Sequence, residues 1–186
     1  VVVGEFILSF DTEDLANQGP AHDAILRLAT ILTEEGIKRC FNIVSSLIGV
    51  LKEAGRQDVL DALRRHEISS HSRRHTWHPT PPEVAEQLSW NDAFAWSVEQ
   101  QGTAIEEIKR EFGLPDVMGY IVPGNTFAAP DIAALRLLGV KVYSGSMFKN
   151  TNGVGMWFGG MLNLEEKIGL DRLLVAQKGL LLDRLG

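Results

Sequence analysis

A single cysteine, Cys40, stands among the 186 residues, so no intramolecular disulfide framework holds this chain together. Its isolation says nothing about compartment, since disulfide-free chains occur in oxidising and reducing surroundings alike. Long apolar runs are missing too. No stretch approaches the roughly 20 residues that a membrane-spanning helix needs. Basic runs are equally scarce: the net charge is −6, and His66 and Glu67 interrupt the densest cationic positions, Arg64, Arg65, Arg73 and Arg74. No stripe of charge is left to neutralise nucleic-acid phosphates or an anionic membrane, so neither is an expected partner. The opening Val1-Val2-Val3-Gly4 has no initiator Met and no positively charged stretch, and reads as a strand rather than a signal peptide. Compartment and oligomeric state stay open.

What is present is the composition of a globular domain. Hydrophobic residues make up 45% and charged residues 23%, enough to build one core, and no linker or repeat divides residues 1–186. The pattern alternates between strand and helix. Val1 to Phe10 is β-branched and apolar, and His22 to Glu35 is apolar at helical spacing with Gly36 as a C-cap. Lys38 to Val44 predicts a strand, Ser45 to Lys52 and Gln57 to Arg65 two short helices, and Glu67 to Ser70 a third strand. Thr76 to Pro82, with three prolines, predicts a loop. Asn91 to Phe112 predicts a long amphipathic helix, Val117 to Val122 a strand, Pro123 to Asn125 a turn, Pro130 to Leu138 a helix and Val140 to Tyr143 a strand. A Gly-rich loop follows at 153 to 160, then helices near Asn163 to Ile168 and Asp171 to Gln177. Such alternation implies an α/β fold with parallel strands, whose functional groups sit on the loops after the strands' carboxyl ends.

Three polar clusters fall at those places. His71-Ser72-Arg73-Arg74-His75 is the sharpest, because two imidazoles four residues apart share one face of a helical turn and can reach one metal ion. The competing reading is a pair of surface histidines at a helix start. Asp11-Thr12-Glu13-Asp14 crowds three carboxylates at a strand end, which is costly without a cation or hydrogen bonds; a solvated loop with Asp14 as helix N-cap is the alternative. Glu13 or Asp14 would complete a set of two histidines and a carboxylate, leaving a coordination position open for water. Asn125 follows the Val117 to Val122 strand. Trp77, Trp90, Trp96 and Trp157 either line a sugar-binding groove or pack against helices. Cys40, mid-strand, reads as core.

Taken in order, these segments resemble the polysaccharide deacetylases of carbohydrate esterase family 4. The resemblance rests on Ser9-Phe10-Asp11 with an acidic residue after it, the Phe-bearing strand Lys38 to Val44, and Ser70 to His75. It continues through Gly119-Tyr120-Ile121-Val122-Pro123-Gly124-Asn125 and Leu138 to Ser144, so that it runs from about Glu5 to Ser146. It implies an irregular parallel (β/α) barrel, incomplete at the C-terminus if the chain is trimmed. It further implies a hydrolase removing acetyl groups from an N- or O-acetylated carbohydrate, with one divalent ion, zinc for preference. By the same resemblance Asp11 would be the general base, with Glu13, His71 and His75 the metal ligands and Asp14 the alternative to Glu13. Ser72 would brace the loop, and Tyr120, Pro123, Asn125 and Trp77 would meet the substrate, Tyr120 or Asn125 through backbone groups that stabilise an oxyanion. Relatives that cleave C–N bonds in small cyclic amides, and glycan-binding relatives of weak activity, are the alternative functions.

Two departures stand out. Ile121 occupies the place of the arginine that steadies the base carboxylate in that family. The late-strand histidine that serves there as general acid has no counterpart in Gly179 to Asp183, and no histidine follows His78. Either His78 takes the role, or the acid lies beyond Gly186, or the protein is catalytically weak.

Overall fold

A computed structural model describes residues 8–16, 19–145 and 155–164. In chain order its elements are β1 (Ser9–Thr12), α1 (Gly19–Glu34), β2 (Cys40–Ile43), α2 (Ser46–Glu53), α3 (Gln57–Leu63) and β3 (Glu67–Ser70). They continue with α4 (Pro81–Gln87), α5 (Trp90–Phe112), β4 (Gly119–Ile121), a 3₁₀ turn (Pro123–Asn125), α6 (Ala129–Leu137), β5 (Val142–Ser144), β6 (Met156–Phe158) and β7 (Met161–Leu164). The strands form one sheet in the order β1-β2-β3-β4-β5-β7-β6. Every pairing is parallel except the β6–β7 hairpin. The architecture is therefore α/β as the alternation implied, and among the described residues the sheet remains open rather than closing into a barrel.

Parallel strands need helical crossovers, and apolar side chains dictate where those helices lie. Phe41 and Ile43 of β2 are buried against Leu47 and Leu51 of α2 and Val59, Leu60 and Leu63 of α3. Helix α5 turns Ala93, Ser97, Gln101, Ala104, Ile105, Ile108 and Phe112 inward, a stripe at intervals of three and four residues. Its ends are marked in the sequence. Ser89 Oγ accepts from the Asp92 N–H, and Gly113 closes it at φ +66°. Gly36, at φ +67°, likewise ends the turn after α1.

Some expectations need correcting. Pro81 and Pro82 do not extend a loop but open α4, where a missing N–H costs nothing; Thr80 and Glu83 form its capping box. From residue 155 on, the Gly-rich segment belongs to a hairpin: Gly159 and Gly160, at φ +57° and +74°, make the tight turn between β6 and β7. Asn163 and Leu164 accordingly lie in a strand, not a helix, with Asn163 Nδ2 donating to the carbonyls of Met156, Phe158 and Met161. Residues 1–7 and 165–186, which include the expected helix at Asp171 to Gln177 and the late segment 179–183, lie outside the described residues.

One core position is charged. Asp131, in the first turn of α6, is 0% exposed. Its Oδ1 accepts from Gln101 Nε2 at 3.0 Å, while Oδ2 has no partner among the described residues. Burial pushes its pKa up from 3.8 to about 6, against the pull of hydrogen bonds from Gln101 and Ser97. A carboxyl raised in the folded state contributes stability below its unfolded value, and that contribution is lost as pH rises from about 3.8 through about 6. Asp131→Asn should therefore stabilise the protein at pH 7, by an amount on the order of 2 kcal/mol, and the gain should vanish near pH 3.5. Denaturant unfolding at both pH values checks this; a variant less stable than wild type at pH 7 would mean that the carboxylate has a compensating partner.

Candidate metal centre and adjoining pocket

Strands β1 and β3 flank β2, so side chains leaving their carboxyl ends share one space. The ring of Phe10 packs on Phe41 with centroids 5.5 Å apart, and strand alternation turns the next residue, Asp11, to the other face. There it is registered with Asn42 of β2. Asn42 is 0% exposed and its Nδ2 donates to Asp11 Oδ1 at 2.8 Å. That bond fixes the carboxylate's orientation and leaves Oδ2 3.9 Å from His71 Nε2.

His71 follows β3 directly. Its N–H donates to Ile43 O at 2.9 Å, continuing the ladder by one residue. Nδ1 lies 2.8 Å from Ile121 O at the end of β4. A carbonyl only accepts, so Nδ1 carries the proton, and the lone pair of the neutral ring sits on Nε2. That nitrogen faces Glu13 Oε2 at 3.1 Å, and His75 Nε2 faces the same oxygen at 2.7 Å. Between His71 Nε2 and Glu13 Oε2 two acceptors face each other, so a proton or a cation has to lie between them.

The segment between the histidines is not the helical turn that its spacing suggested. Ser72 and His75 adopt φ values of +66° and +55°, both left-handed. The cause lies in the neighbouring connection: the N–H groups of Ser45 and Ser46 donate to Ser72 O and Arg73 O, and Ser46 Oγ donates to Arg73 O at 2.7 Å. These bonds moor the turn to the β2–α2 junction. His75 still returns to His71, with ring centroids 5.2 Å apart.

Glu13, His71 and His75 thus offer three ligand atoms within 4.8 Å of one another. Asp14 is directed elsewhere, its Oδ2 3.5 Å from the buried His22 Nε2 and its Oδ1 accepting from the Ala16 N–H. Beside His75 opens a cavity of about 150 Å³. It brings together Trp77, Trp96, Tyr120 and Pro123 from the sequence-based set, and adds Gln101 of α5. Tyr120 lies in the sheet between Ser70 and Tyr143, its hydroxyl accepting from Gln101 Nε2 at 3.3 Å. Asn125, exposed in a left-handed conformation, does not line the cavity. His78 stands at the rim with Nδ1 2.8 Å from both Glu83 oxygens. The Thr80 N–H first, and His78 second, hold the exposed Glu83 carboxyl down to about 2. A larger hollow of about 390 Å³, between α5 and the start of β4, contains none of the candidate residues.

Sequence reasoning passed over Asn42 and Gln101. A signal for Asn42 existed, since it is the one amide in the otherwise apolar run Phe41 to Val44. Gln101 gave none, because its inward direction follows only from the packing of α5.

No protein-family profile matches the sequence, and no curated protein does. Solved structures do match. A family 4 carbohydrate esterase from Bacillus anthracis aligns with TM-score 0.51 and 18% identity over 92% of this chain and 72% of that one. The chain has the fold of carbohydrate esterase family 4. A pseudoenzyme of that family from the same organism aligns with TM-score 0.51 and 16% identity over 74% of this chain. The present chain covers only 41% of that pseudoenzyme's length. A 4-alpha-glucanotransferase from Thermococcus litoralis aligns with TM-score 0.59 and 17% identity over 91% of this chain and 28% of that one. At such identities the likeness is one of fold, and a fold that also carries a pseudoenzyme and a glucanotransferase does not by itself name a reaction.

Within this fold the donor set suits a divalent ion. Two imidazole nitrogens and a carboxylate oxygen are its usual ligands, and the Nδ1–H bond of His71 to a carbonyl is the usual support behind a metal-bound imidazole. The protein should therefore take up one divalent ion per chain, with an affinity that falls as protons compete for Nε2 at lower pH. His71→Ala together with His75→Ala should abolish uptake and leave the circular dichroism of the fold in place. Calorimetric titration and elemental analysis after reconstitution check both, and a double variant that still binds stoichiometric metal would sink the assignment.

Proposed function

We propose that this chain is a metal-dependent hydrolase that removes acetyl groups from an N- or O-acetylated carbohydrate. The observation that carries the reading is the meeting of Asp11, Glu13, His71 and His75 at the carboxyl edge of the sheet, with Asp11 oriented by Asn42. Glu13, His71 and His75 would hold the ion. When bound, a divalent ion polarises an acyl carbonyl and lets water act as a nucleophile near neutral pH.

The chain's own groups supply the remainder. Asp11 Oδ2 is free to accept the proton of the attacking water, because Asn42 engages Oδ1. Glu83, by accepting from His78 Nδ1–H, orients that imidazole and leaves Nε2 to return a proton to the leaving nitrogen or oxygen. Trp77, 61% exposed at the cavity, presents an indole face on which a sugar ring stacks. The ring of Tyr120, stacked on Tyr143 with centroids 5.8 Å apart, forms part of the cavity wall. A glycan-binding protein without turnover is the second reading, supported by Ile121, which leaves Asp11 without the arginine that the resemblance expects.

Acetate release from N-acetylated chitooligosaccharides by the metal-loaded protein is the first test. Asp11→Asn should lower turnover by about 10²–10⁴-fold, the range for a positioned acid–base group, with metal content unchanged. Full activity in that variant would move the base elsewhere. Saccharide binding without acetate release by the fully loaded wild type would favour the non-catalytic reading. His78→Gln should lower turnover while sparing metal content and saccharide affinity; unchanged turnover would remove His78 as the acid.

A further inference from the structure

The cavity beside His75 has two arginines, Arg73 and Arg74, and two histidines, His75 and His78, in its lining, and among the described residues no carboxylate lines it. This is unexpected in a chain of net charge −6. The two arginines differ in state. Arg73 has Glu107 at 3.7 Å, and Glu107 in turn accepts from Ser45 Oγ at 2.6 Å, so its charge is answered within the protein. The guanidinium of Arg74 forms no hydrogen bond or ion pair with any described residue. The first acid after it in sequence, Glu83, is engaged by Thr80 and His78. The backbone around Arg74 is fixed, because its neighbours Ser72 and Arg73 are bonded through their carbonyls to Ser45 and Ser46. A firmly held turn thus presents the exposed Arg74, a cation unanswered among the described residues, at the cavity that His75 and Trp77 also line.

We infer that the saccharide taken by this site carries a carboxylate near its acyl group, and that Arg74 is the specificity-determining residue that binds it. The inference rests on the reading of the site as an acyl-sugar hydrolase and names the class of sugar. A guanidinium matches a carboxylate with two parallel N–H···O bonds, a geometry that lysine does not reproduce. The size agrees. A cavity of about 150 Å³ has room for a carboxylate and the few atoms that join it to a ring. The ring itself lies against Trp77 outside. Two sources offer this chemistry, an ether-linked lactyl carboxylate and the C6 carboxylate of an N-acetylated uronic acid, and they place the charge at different distances from the acetamide.

The test reads binding and needs no turnover. Calorimetry on the wild-type, metal-loaded protein would compare N-acetylmuramic acid with its methyl ester, which keeps the shape and loses the charge. N-acetylglucosaminuronic acid and its methyl ester would form the second pair. The acid of one pair should bind about tenfold more tightly than its ester, and the pair that shows the preference identifies the source. Arg74→Gln should erase that preference and Arg74→Lys restore only part of it. Equal affinities for acid and ester in both pairs, a preference that survives Arg74→Gln, or no binding of either acid overturns the inference. Its failure is distinct from failure of the hydrolase reading. Acetate release from neutral chitooligosaccharides without any acid preference leaves the hydrolase and removes the carboxylate site, while a preference that depends on Arg74, without acetate release from any of these sugars, does the reverse.

Discussion

The imidazole of His71 depends on one hydrogen bond, from its Nδ1–H to the carbonyl of Ile121. That bond joins the end of β3 to the end of β4, selects the tautomer, and aims Nε2 at Glu13. It is made by the backbone of Ile121, so any side chain can occupy that position without disturbing it. The ring is 2% exposed, and a buried imidazole with an unanswered nitrogen would be costly. Its second nitrogen therefore needs Glu13, and the approach of Glu13 and His75 to one point follows from the placing of this ring. The register of β3 on β2, which brings Ser70 beside Ile43 and lets the His71 N–H reach Ile43 O, is what puts the ring there.

Around that point the sheet carries a row of polar side chains on one face. Asp11, Asn42 and Ser69 are registered neighbours across β1, β2 and β3. Cys40 joins the row, with Sγ 3.0 Å from Ser69 Oγ, and burial raises its thiol pKa, so it behaves as a weakly polar core group and not as a nucleophile. The opposite faces of the same strands hold Phe10, Phe41, Ile43 and Ile68 against the helices. The sheet thus divides its faces, one for stability and one for orienting Asp11, and strand alternation makes the division possible.

The resemblance that led to the site also marks where this protein is its own. The histidine pair and the acidic residues keep the expected order, but Arg73 and Arg74 between the histidines give the adjoining cavity a character that no fold-level likeness supplies. His78, held by Glu83, stands at the rim of the same cavity.

Much of the architecture was legible because it rests on local chemistry. Helix α5 announces itself by its apolar stripe and by Ser89 and Gly113 at its ends, and β3 was bounded as Glu67–Ser70. The residues 153–160 misled because glycine permits both loops and tight hairpin turns, and pairing with β5 decides between them. Prolines at 81 and 82 misled because the same residue ends one element and opens another. In the site, the sequence by itself determined which donors exist and that they leave strand ends, since residue type and strand periodicity are local properties. It left open whether Glu13 or Asp14 turns to the histidines, that the turn from Ser72 to His75 is left-handed at both ends, and that Asn42 and Gln101 take part. Only the tertiary structure decided these, because each depends on a partner distant in the chain: His71 and His75 facing Glu13, Ser45 and Ser46 holding the turn, β1 beside β2, and α5 laid across β4.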